Sequence, residues 1–157
     1  MNSKLTIVVV SLFALGLCSS QRAYAGGAAT DPCSLLTQAQ VSVALGVNVD
    51  PGKPITPTMC GWSTSNQPKK VALLISNANA FGFAKTPFDS REKAVPASSI
   101  CDDAVYSFPT ASTSGVSTTL YVKKGNSYFV VHLNGFPDQA KTMAIEKTLA
   151  VEACSKL

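Results

Sequence analysis

The sequence is poor in the residues that common catalytic and metal sites require. Its one histidine, His132, excludes a centre built from several histidines and leaves any serine or cysteine triad a single candidate base. No C-x-x-C pair is present, which disfavours a zinc site and thiol redox catalysis. Neither a G-x-S-x-G elbow nor a phosphate-binding P-loop occurs. We therefore expect no metal, no cofactor and no catalytic residue, and a binding protein is favoured over an enzyme.

Long apolar runs are also scarce, and the one at the N-terminus has the form of a signal peptide. Lys4 precedes an uncharged apolar stretch at residues 5–17, and Ala23-Tyr24-Ala25 offers a small-x-small cleavage site. A transmembrane helix needs about 20 apolar residues, so this stretch is too short for an anchor. We expect residues 1–25 to be a cleaved signal peptide and residues 26–157 to form one disulfide-stabilised domain.

Cys18 leaves an alternative open, because bacterial lipoproteins carry their lipid on a cysteine directly after the apolar run. Leu17 argues against lipidation, since the residue before a lipidated cysteine is normally small. With either N-terminus the protein is exported, and we expect it to be secreted or periplasmic.

The charge of the chain gives no sign of a polyanionic partner. Cleavage removes Lys4 and Arg22 from the 13 basic residues, so 11 remain against nine acidic residues, and the net charge falls from +4 to +2. The adjacent basic pairs, Lys69-Lys70 and Lys123-Lys124, flank predicted strands. We expect no nucleic acid among the partners.

Four cysteines remain after cleavage: Cys33, Cys60, Cys101 and Cys154. An even number in an oxidising compartment predicts two disulfides, and three connectivities are open. We favour Cys33 with Cys60 and Cys101 with Cys154, because the first pair brackets the predicted opening helix and the strand that should pack beside it.

The first half of the domain carries helix and loop signals. Thr37 and Gln40 form a capping box and Gly46 provides a stop, which predicts a helix over residues 38–45. Three prolines in residues 51–57 predict a loop. The other predicted elements are strands at residues 59–63 and 70–76 and a short irregular helix within residues 77–94.

The second half alternates apolar and polar residues, as expected of strands with one buried face. A turn at residues 124–127 joins two segments rich in β-branched and aromatic residues, which predicts a hairpin. After Pro137, apolar residues recur every four positions and predict a terminal helix. The predicted strands are residues 103–108, 117–123 and 128–134, and the helical stripe is Ile145, Leu149, Ala153 and Leu157.

Parts of the chain resemble an uncharacterised group of small exported bacterial proteins and lipoproteins that open with D-P-C-x-L-L-T. The matching segments are Asp31-Pro32-Cys33-Ser34-Leu35-Leu36-Thr37, the helix that ends in Leu45-Gly46, Cys60-Gly61-Trp62, and the strand, hairpin and helix from Asp102 to Leu157. The resemblance implies an α+β, PsbP-like fold, an antiparallel sheet covered by an N-terminal and a C-terminal helix. It implies no activity. Ile100-Cys101-Asp102 replaces the group's glycine-rich turn, which suggests that the second disulfide is a local addition.

Aromatic residues provide a mild positive sign of a binding surface. Tyr121, Tyr128 and His132 are predicted to share one face of the hairpin, where an unknown protein or small molecule of the cell envelope would dock. Trp62 is interpreted as a core residue beside Cys60. The alternatives to a binding module are a hydrolase or other small enzyme that uses His132 with an acidic partner, and a structural envelope component.

Overall fold

The computed structural model describes residues 30–87, 89–110 and 116–157, so the predicted signal peptide and Cys18 lie outside the described residues. The strands are β1 (Lys53–Thr56), β2 (Met59–Thr64), β3 (Gln67–Asn77), β4 (Glu92–Pro96), β5 (Asp103–Pro109), β6 (Val116–Lys124) and β7 (Ser127–Phe136). The helices are α1 (Pro32–Leu35), α2 (Gln38–Leu45), α3 (Phe81–Ala84) and α4 (Gln139–Cys154), with a 3-10 turn at Ala78–Ala80. None of these helices is long and apolar enough to cross a membrane.

The seven strands form one antiparallel sheet in the order β1-β2-β3-β7-β6-β5-β4. Side chains alternate between its two faces. On β3, Val71 and Leu73 are buried in the main core, whereas Ala72 between them points to the opposite side and is half-buried. We call the side that carries the main core the inner face and the other side the outer face.

Helix α4 covers the inner face across β6 and β7. Asp138 caps it, because its carboxylate accepts a hydrogen bond of 2.8 Å from the Lys141 backbone N–H. The buried residues of the helix are Thr142, Ile145, Glu146, Leu149, Ala150 and Ala153. The predicted stripe is therefore confirmed at its three helical positions, and Leu157, beyond the end of the helix, packs against the same core.

The predicted fold class, an α+β sheet covered by an N-terminal and a C-terminal helix, is wrong. In its described part the molecule is mainly a seven-stranded antiparallel sheet, and helices account for 29% of the described residues. The capping box and the bounds of α2 are confirmed. The helix is only eight residues long and ends at Gly46, which adopts the left-handed conformation with φ +68°. This short helix packs mainly against α4, and its Val41 and Leu45 lie in the main core.

Two edge strands widen the sheet beyond what the sequence patterns predict. The loop predicted for residues 51–57 contains β1, and the irregular helix predicted within residues 77–94 gives way to β4 after α3. Each strand carries a proline, Pro54 or Pro96, and each forms an edge of the sheet. Proline cannot donate to a central ladder but is tolerated at an edge, so both strands form despite their prolines.

Two disulfides join Cys33 to Cys60 and Cys101 to Cys154, which confirms the predicted pairing. The first connects α1 to β2, and the second connects the end of α4 to the turn before β5. In that turn Ser99 and Cys101 have φ angles of +62° and +47°, the region that glycine favours. The second disulfide therefore holds a turn whose backbone is strained.

Candidate functional site

The outer face of the sheet has a covered part and an open part. Helix α3 folds over the covered part, where Phe81 packs with Val105 and Tyr128 in a small second core. The open part, formed by β1, β2, β3 and β7, contains a cavity of about 310 Å³ that we call the trough. The residues that line the trough are Lys53, Ile55, Gly61, Trp62, Ser63, Lys70, Val71, Ala72, His132 and Asn134.

Small residues form the floor of the trough, which we define as Gly61 and Ala72. These two residues and His132 are successive partners across β2, β3 and β7, so they lie side by side on the outer face. Ile55 of β1 closes one side, because a Cβ added to Gly61 would lie 2.7 Å from Ile55 Cδ1. Ile55 therefore covers Gly61, and the depression lies over Ala72, whose side chain is a single methyl group.

A polar row borders the floor. Ser63, Lys70 and Asn134 are partners in register on the same three strands, and Lys53 of β1 lies opposite Gly61. We call Lys53, Ser63, Lys70 and Asn134 the polar end of the trough. Both lysines and the asparagine are exposed, so their charges and hydrogen-bonding groups are available to a bound molecule.

His132 stands between the floor and β6, half-buried in mid-strand. Its Nδ1 lies 2.9 Å from Thr119 Oγ1, and burial lowers the pKa of His132 from its ordinary value, opposed in part by a backbone hydrogen bond at Thr118. The imidazole is therefore neutral at pH 7. Because the partner of the ring is a hydroxyl and not a carboxylate, the arrangement does not reproduce a histidine–acid catalytic pair.

Tyr121 and Tyr128 lie on the same face as His132 but beneath α3. Their rings stack with centroids 6.2 Å apart, and Phe81 meets Tyr128 edge-on at 5.9 Å. Tyr128 is 8% exposed, and burial raises the pKa of both phenols above the ordinary value. The tyrosines line a separate cavity of about 150 Å³, whereas His132 lines the trough. A binding role for the two tyrosines stays a prediction.

Neither known protein families nor characterised proteins nor solved structures show significant similarity to this chain. The resemblance to exported proteins with a D-P-C-x-L-L-T start therefore stays a prediction, and the candidate site depends on its own geometry. Within the described ranges, no group of three or more His, Cys, Asp or Glu side chains is placed to hold a metal ion.

The residues that shape the trough, other than His132, were missed by sequence reasoning. Trp62 is buried in the main core with Cys60, as predicted, so its neighbour Gly61 must face outward. In the same way Ala72 separates the buried Val71 and Leu73. Small residues that interrupt the apolar stretches of two neighbouring strands were the available signal. Their juxtaposition depends on the register between β2 and β3, which the sequence does not display.

Proposed function

We propose that this protein is an exported binding module that holds a small organic ligand in the trough. The observation that supports this most is the convergence of an apolar floor with His132 and the polar end on the open part of the outer face. Small-molecule sites are typically concave and mostly apolar, with a few polar groups that orient the ligand. A cavity of about 310 Å³ lies at the small end of the range of ligand pockets.

Export is part of the proposal. Two disulfides fit a protein that folds in an oxidising compartment. We infer a secreted or periplasmic protein that is cleaved after Ala25. Intact-mass measurement and N-terminal sequencing of the exported protein should give Gly26 as the first residue. A chain that begins at a lipid-modified Cys18, or one that retains residue 1, would contradict this.

Amide chemical-shift mapping tests the trough as a ligand site. The isotope-labelled protein, purified in its exported form, is titrated with a library of neutral, cationic and anionic organic compounds. At least one compound should produce saturable shifts centred on Ala72 and His132. Ala72→Leu should abolish them, because leucine fills the floor. Ala94→Leu is the matched control, since it makes the same change on the outer face of the edge strand β4.

Two results would overturn the proposal. Shifts scattered over the surface would show that binding is not confined to one site. Shifts at the trough that persist in Ala72→Leu would show that the floor does not receive the ligand. A thermal melt of each variant confirms that it is folded, so that a loss of binding reports on the trough and not on the fold.

A further inference from the structure

The polar end of the trough carries unmatched positive charge. Within the described part of the chain, neither Lys53 nor Lys70 forms an ion pair, and no aspartate or glutamate is among the residues that line the trough. One carboxylate touches the rim: Asp50 accepts hydrogen bonds from Ser63 Oγ at 3.4 Å and Ser65 Oγ at 3.2 Å. Asp50 forms no ion pair with Lys53 or Lys70 in the described part of the chain, so the two ammonium groups remain available to an anion.

Neutral hydrogen-bonding groups stand beside this charge. Asn134 is the register partner of Lys70, and His132 follows on the same face of β7. A carboxylate accepts several hydrogen bonds at once, and charge-assisted bonds are stronger than bonds between neutral groups. An ammonium group next to an amide N–H therefore suits a carboxylate better than it suits a neutral or cationic group.

The opposite part of the trough is apolar and exposed to water. Ile55 is 60% exposed where it reaches over Gly61, although large aliphatic side chains are usually buried. Apolar surface that leaves water contributes about 25 cal/mol per Å². A ligand with an apolar body would therefore gain from lying against Ile55 and the floor, whereas a small inorganic anion would leave them exposed.

We propose that the ligand is a small organic anion, with a carboxylate at the polar end and an apolar body that lies on Ala72 and against the exposed side of Ile55. This inference rests on the proposed function, because it names the class of ligand that the same trough takes. His132 marks the junction of the two ends. When the Thr119 hydroxyl donates to Nδ1, the proton of the neutral ring lies on Nε2, which can then donate to the carboxylate.

Octanoate and octanamide form a matched pair of probes, since they share one alkyl chain and differ in charge. In amide-shift titrations of the exported protein, octanoate should saturate the trough. Octanamide should bind about fivefold more weakly, because an exposed ion pair contributes up to about 1 kcal/mol. Lys70→Gln should weaken octanoate about fivefold and leave octanamide unchanged. Lys93→Gln, an exposed change on β4, should affect neither.

The outcomes separate this inference from the proposed function. Equal binding of octanoate and octanamide at the trough would overturn the preference for an anion while the binding site itself stands. If octanoate does not bind and a neutral or cationic library compound binds in the trough, the preference for an anion is likewise overturned and the binding site stands. If no compound of either experiment shifts the trough amides, both proposals fall. An octanoate affinity that drops in Lys70→Gln and holds in Lys93→Gln would support the inference.

Discussion

Replacing Glu146 with glutamine should stabilise the protein at neutral and alkaline pH. The Glu146 side chain points from α4 toward the sheet with 0% exposure, and neither carboxylate oxygen has a hydrogen-bond partner in the described chain. Burial raises the pKa of Glu146 from an ordinary value of 4.5 to about 8. The Thr118 hydroxyl and the Leu133 backbone oppose this rise only in part, because neither is in full hydrogen-bond geometry.

The sign of the effect follows from proton binding. Between pH 4.5 and about 8 the folded state keeps a proton that the unfolded state releases, so stability falls as the pH rises. The contribution of protonated Glu146 to the free energy of unfolding is fully present below pH 4.5 and is lost as the pH rises through about 8. Since one pKa unit corresponds to about 1.4 kcal/mol, the loss by pH 8 is about 4 kcal/mol. Glutamine cannot ionise, so the variant avoids this loss.

Urea unfolding of both proteins between about pH 5 and pH 8 measures the effect. The stability difference in favour of Glu146→Gln should grow by about 3 kcal/mol from pH 5 to pH 8, because about 1 kcal/mol of the loss has already occurred at pH 5. The lowered pKa of His132 acts in the opposite direction below its ordinary value, but it cancels in the difference because both proteins contain it. Glu152→Gln, an exposed change on the same helix, controls for charge removal. A difference that does not vary with pH would refute the reasoning.

Three further predictions use unfolding and NMR. Gly135→Ala should lower the free energy of unfolding by about 1–3 kcal/mol. Gly135 has φ +88°, and an added Cβ would lie 2.5 Å from the Pro68 carbonyl oxygen. An unchanged free energy of unfolding would contradict this prediction. Joint replacement of Cys101 and Cys154 by alanine should lower the free energy of unfolding by about 4 kcal/mol, since the disulfide closes a loop of 53 positions. A decrease below about 1 kcal/mol would contradict this prediction. The histidine ring of the tag-free protein should titrate below 6.5, and a midpoint above that value would show that His132 is not desolvated.

Elements with local signals were predictable from the sequence. The capping box and Gly46 bound α2, and the turn at residues 124–127 joins β6 to β7. The stripe of α4 was visible as a period of four, although Glu146 went unnoticed because a carboxylate seldom lies fully buried on a core-facing stripe. In each case the residues that decide the structure are close in sequence, so pattern and propensity agree.

The width of the sheet and the trough depend on contacts that are distant in sequence. The prolines of residues 51–57 predicted a loop where β1 forms, because proline is excluded from a central strand but is tolerated on an edge strand such as β1. The floor requires Gly61 to meet Ala72, and the polar end requires Lys70 to meet Asn134. Such pairings are set by strand register, and a slip by one residue would turn every one of these side chains to the other face.

Intermolecular NOEs between octanoate and the exported protein test the central claim most directly. The alkyl protons should show NOEs to the methyl groups of Ala72 and Ile55, and the His132 ring proton should show NOEs to the carboxylate end of the chain. All of them should vanish in Ala72→Leu. NOEs to Phe81 or Tyr121 in place of these, or none at saturating octanoate, would contradict the claim that the trough holds an organic anion.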